Sequence, residues 1–78
     1  MLKDNSIQIQ LNTPISLELE KGRREMVIRV QGQVIECNDA GIHLQVKCLF
    51  NERDQELESP HRELFFPHHK LDHIWVLR

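Results

Sequence analysis

A chain of 78 residues, 40% of them hydrophobic, has room for one domain with a single core; domains near this size bury only about 60% of their unfolded surface, and self-association is a common remedy. Ten Lys+Arg against twelve Asp+Glu weigh against broad nucleic-acid binding, which runs on phosphate neutralisation, though not against a few stacking or hydrogen-bonding contacts at a confined site. No run of about 18 apolar residues is present to span a membrane, and the opening MLKDNSIQIQ lacks the apolar region of a signal peptide, so a cytoplasmic location is expected.

From Ile7 onward every odd position through Leu19 is apolar or Thr13, with polar residues and Pro14 between. That period of two marks a half-buried strand. Pro14 offers no N–H to a ladder, so the segment is either one strand bent at the proline or two strands joined by a tight turn. A short helix at residues 2–6 is also compatible with the sequence. Residues 20–25, EKGRRE, read as the next connection, turning at Gly22.

Residues 26–50 predict a long antiparallel hairpin. Met26, Ile28, Val30, Gly32 and Val34 share one face of its first arm; Ile42, Leu44, Val46, Cys48 and Phe50 share one face of its second. Asn38-Asp39-Ala40-Gly41 suits a type I turn closed by a glycine of positive φ and a G1 bulge. The implied register sets Asn38 opposite Ile42, Val34 opposite Val46 and Val30 opposite Phe50. Gly32 leaves a gap where a strand can bend. Cys37 and Cys48 then point to opposite faces, too far apart for disulfide geometry, and two free thiols are expected.

The periodic pattern stops after Phe50. Residues 51–63, NERDQELESPHRE, read as a charged exposed loop or an extended hairpin tip. Leu64-Phe65-Phe66 is a short apolar run, Pro67-His68-His69-Lys70 a turn, and Leu71 to Leu77 a closing strand that is apolar on both faces. An outermost strand of that kind asks for cover. Trp75 within it reads as a core or interface residue.

No nucleotide-binding loop, zinc-protease or nucleophile-elbow motif occurs, so an enzyme is not expected. Among the five histidines, His61, His69 and His73 suggest a metal set. Strand zinc ligands usually lie two apart or straddle a turn, and no thiol pair accompanies these. The expectation is no metal and no cofactor. His68-His69-Lys70 also suits a ligand-facing tip, since imidazoles hydrogen-bond and stack on the bases of single-stranded nucleic acid.

Two stretches resemble the Sm/LSm family, including its bacterial Hfq-like members. The run from Gly32 through Asn38-Asp39 to Gly41-Ile42-His43-Leu44 is similar to the first Sm motif, and Phe65-Phe66-Pro67-His68-His69-Lys70-Leu71 to Ile74 to the second. Pro67 stands where the Hfq turn carries an aromatic residue, and the arginine-glycine pair of eukaryotic second motifs is missing. The resemblance implies an all-β fold: a small five- to six-stranded, strongly bent SH3-like or Sm-like barrel, one domain over residues 1–78 with a variable loop at 51–63. It implies a homo-oligomeric ring joined through the last strand (Leu71, Ile74, Trp75, Val76, Leu77). It also implies single-stranded RNA held at Asn38, Asp39, His68 and His69. The competing expectation is a structural or protein-interaction β-barrel module without RNA binding. Arg23-Arg24 through Arg29, followed by Asn38-Asp39-Ala40-Gly41, loosely resembles the cyclic-dinucleotide motifs of PilZ domains, with Glu36 and Asn38 standing where that motif has its Asp or Asn and its Ser, a weaker third reading.

Overall fold

The computed structural model describes residues 4–60 and 62–77. The chain runs β1 (Ser6–Glu18), a single 3-10 turn (Glu20–Gly22), β2 (Arg24–Cys37), β3 (Gly41–Asn51), β4 (Glu56–Leu57), β5 (Glu63–Pro67), a second 3-10 turn (His68–Lys70) and β6 (Leu71–Leu77). Of the short helix allowed at residues 2–6, residues 2 and 3 lie outside the described residues, Asp4 sits in a turn, and Ser6 opens β1. The segment 6–18 is one strand, whose register to β2 slips between Gln10 and Ile15, around Pro14. No helix among the described residues is long and apolar enough to cross a membrane.

All pairings are antiparallel, in the order β4-β3-β2-β1-β6, with β5 lying beside β4 along the same edge of β3. One end of the sheet is therefore β4 and β5, and the other is β6. These ends do not pair. The sheet is open, and the closed, strongly bent SH3-like or Sm-like barrel expected from the sequence is not formed. The physical reason lies in the charged segment 51–63. It contributes a strand of only two residues before the chain breaks off, so β4 and the five-residue β5 present no continuous edge for β6 to close against.

The core is the apolar face of this open sheet. Ile7, Ile9 and Leu11 come from β1, and Val27, Val30 and Val34 from β2. Ile42, Leu44 and Leu49 come from β3, with Leu19 and Phe66 completing the cluster. Fully burying an aliphatic side chain is worth about 1.5–3 kcal/mol, so these residues carry most of the fold's stability. β6 contributes none of them.

Bulges decide which residues of the hairpin face inward. Register shifts fall between Val27 and Arg29, Gln31 and Gly32, and Val34 and Glu36. An extra residue inserted into one strand resets the inside–outside alternation beyond it. Ile28 is skipped, so Val27 and Val30 are both buried while Met26 is exposed. Lys47 is skipped on the facing strand, which turns Leu49 inward and sets Cys48 against Gln31 and Phe50 against Arg29. The actual pairs are Cys37 with Ile42, Val34 with Leu44 and Val30 with Leu49, so the uniform register expected from the alternation is corrected along its whole length. Gly32 sits at the central shift, where a Cβ would stand 2.9 Å from the Leu44 side chain and overlap the Gln45 carbonyl.

The hairpin turn is also of another kind. The Asn38 carboxamide oxygen accepts the N–H groups of Ala40 at 2.8 Å and Gly41 at 3.2 Å, and Asn38 N–H donates to the Gly41 carbonyl at 3.0 Å. Asparagine favours such turns because its side chain substitutes for a backbone acceptor. Gly41 does not have positive φ; Gly22, in the preceding connection, does, at 71°. A second asparagine, Asn51, organises the end of β3. It is buried, and its side-chain oxygen accepts from the N–H groups of Arg53 and Gln55 while its amide donates to Gln55 at 2.9 Å. This tight turn joins β3 to β4, so the first part of the segment 51–63 takes the hairpin-tip form of the two expected for it, a hairpin tip or an exposed loop.

Candidate interaction surface

The edge strand β6 is built by a local conflict in the sequence. Its pairing with β1 sets Val76 opposite Ile7 and Ile74 opposite Ile9, two wholly buried core residues. Directly opposed residues of an antiparallel pair share a face, so Ile74 and Val76 continue the core face sideways. No described residue covers them fully there: Ile74 is 37% and Val76 41% exposed. On the other face, Leu77 stands opposite Ser6, Trp75 opposite Gln8 and His73 opposite Gln10. Trp75 is 43% exposed, and its ring stacks on His73 with centroids 5.8 Å apart and planes 19° from parallel. The strand is thus apolar on both sides from Ile74 to Leu77, and among the described strands it pairs with β1 alone.

The two ends of the sheet differ in how they are guarded. Short strands, charges and prolines protect an edge from pairing with another chain. At the far end, β4 is two residues long, and the five-residue β5 begins at Glu63 and ends at Pro67, which has no N–H. β6 is seven residues long and carries neither charge nor proline from Ile74 to Leu77. A head-to-tail contact needs a matching edge at each end, and this chain offers one. The homo-oligomeric ring expected through the last strand is therefore corrected, and the ring-forming Sm-like RNA-binding mechanism falls with the closed barrel it required.

The residues proposed from the sequence as an RNA contact do come together. The His68 ring Nε2 donates to the Asn38 carbonyl at 2.6 Å, and His68 N–H donates to the Ala40 carbonyl at 3.2 Å. The Asn12 amide donates to the His69 carbonyl at 2.5 Å. The turns at 38–41 and 68–70 thus form one corner tied to β1, with Asp39 and the His69 side chain exposed. Of the histidines considered as metal ligands, His61 lies outside the described residues, and His73 is taken up by Trp75 and by Asp72 at 3.3 Å. His43 faces Glu63 at 2.8 Å. The arginines of the cyclic-dinucleotide reading are each paired with a carboxylate: Arg23 with Glu25, Arg24 with Glu18, and Arg29 with Asp54 while lying over the Phe50 ring.

A groove of about 380 Å³ crosses the polar face between Ser6, Gln33, Gln45, Lys47 and Leu77. Two of its amides are already engaged. Gln31 donates to Gln8 at 3.2 Å, and Gln33 donates to the Asp4 carbonyl at 3.1 Å. The Gln31 oxygen in turn accepts from the Cys48 thiol at 3.3 Å. No sequence signal announced this amide row, because the bulges that align Gln8, Gln31 and Cys48 are invisible to alternation.

Both cysteines are free thiols. Burial raises the Cys48 pKa above its ordinary value, Glu56 adds to the rise and Lys47 opposes it. A thiol whose pKa is higher folded than unfolded stabilises the fold below the unfolded pKa, and that contribution is lost as pH climbs through the folded one. Urea unfolding of the wild type should therefore weaken from neutral to alkaline pH by more than that of Cys48→Ser. Equal losses in both proteins would place the thiol in solvent.

No protein-family model, curated protein or solved structure matches this chain.

Proposed function

We propose that this chain is a non-catalytic protein-interaction module that takes an extended segment of a partner protein as an added strand at β6. The observation that carries this reading is the unguarded edge: four consecutive exposed apolar residues, Ile74 to Leu77, on a strand paired on one side only. Strand addition joins main-chain hydrogen bonds, which supply affinity, to alternating side-chain contacts, which supply specificity. Here the alternation is ready-made, with Ile74 and Val76 on the core face and Trp75 and Leu77 on the other. The chain's slight acidity suits a protein partner better than a phosphate backbone. A cytoplasmic setting is part of the same reading, and two free thiols are what a reducing compartment maintains.

The test is photo-crosslinking in cells from a reactive amino acid placed at Trp75, with Glu36, an exposed residue on β2, as the control position. Discrete protein adducts at position 75 and none at 36 support the reading. Equal yields at both positions, or adducts to nucleic acid alone, overturn it.

A further inference from the structure

We infer that the strand added at β6 is β6 of a second copy, giving a two-fold dimer in which two open sheets become one. This rests on the strand-addition reading above and names its partner. The inference comes from the order of residues along β6. An antiparallel self-pairing is closed by a two-fold axis, and only certain registers keep like faces together.

With the axis at Trp75, Ile74 lies opposite Val76 of the second copy, so both core faces run on without a break. His73 then lies opposite Leu77, and the two Trp75 rings meet on the axis, on the polar side. Every other register is worse. An axis at Ile74 sets Val76 against Asp72, the residue passed over where the pairing with β1 slips, and leaves it without an apolar partner. An axis at Val76 shortens the overlap toward the strand's end. An axis between residues joins the core face of one copy to the polar face of the other, as the parity of the β1 pairing shows.

The guarded far end of the sheet, β4 and β5, takes no part, so the assembly stops at two.

Sedimentation of the purified chain at micromolar concentration should give the mass of two chains. Val76→Lys places a charge on the pairing edge at a side chain that is 41% exposed in the single chain, and should give a monomer of unchanged circular dichroism. A wild-type monomer, a larger assembly, or a dimer indifferent to Val76→Lys overturns the inference. A monomer that still crosslinks to foreign proteins from position 75 overturns the dimer and leaves the strand-addition reading standing; a monomer with no adducts there overturns both.

Discussion

Phe66→Ala should cost about 3–5 kcal/mol, the range for removing a buried aromatic ring. Phe66 is 4% exposed and is the only β5 residue in the buried core cluster. β5 pairs with β3 alone, from Gly41–Pro67 to Gln45–Glu63, so the ring is what fastens this short strand to the core. A domain of this length has about 4–12 kcal/mol of stability to lose, and the variant should stand at the edge of unfolding. The damage should also spread in a particular direction. β5 leads directly into the turn whose His68 is bonded to Asn38 and Ala40, so amide exchange at 38–41 should accelerate along with that of β5. Urea unfolding measures the first effect and hydrogen exchange the second. A loss below about 1 kcal/mol would be typical of an exposed position and would take Phe66 out of the core.

Gly41 should tolerate no side chain at all. A Cβ there would overlap the Phe66 carbonyl oxygen and stand 2.8 Å from both the Phe65 ring and the Pro67 Cα. Forcing atoms into a packed site costs about 1–3 kcal/mol, occasionally more, and here two of the obstacles are backbone that cannot rotate away. Gly41→Val should be destabilising for this reason, and not for the positive φ expected of the turn from the sequence. The two causes separate cleanly with asparagine, which accepts positive φ. Close approach predicts that Gly41→Asn and Gly41→Ala both lower the melting temperature by similar amounts. An asparagine variant as stable as the wild type would mean that the backbone, and not the gap beside β5, requires the glycine.

Those two residues show what could be read in advance. Alternation placed the strands correctly along most of the chain: residues 6–18, the two arms around Asn38, and the closing strand at 71–77. It placed Ile7, Ile9, Leu11, Val30, Val34, Ile42 and Leu44 inward, as they are. It failed at Met26, Ile28 and Phe50, because a bulge changes parity without leaving a trace in composition. Asn51 was missed because an asparagine within a charged run looks like any other loop residue. Only its position at the end of a strand makes it the acceptor for two backbone N–H groups.

The candidate surface divides in the same way. That β6 is apolar on both faces follows from the residues 71–77 alone, since period two is a local property of an extended chain. Which neighbour it takes, and whether that neighbour is in the same molecule, is a matter of long-range pairing. A closed barrel would have hidden one edge of β6 against the far end of the sheet. Closure depended on whether 51–63 could supply a continuous partner strand, and its charges, Asn51 and Ser59-Pro60 do not by themselves say how many residues will pair. The fold settled it with a two-residue β4 and a β5 that ends at a proline. Local alternation determined the strands and the apolar character of the last one; the sum of many weak pairings between distant segments decided that the sheet stays open and that β6 lies at its edge.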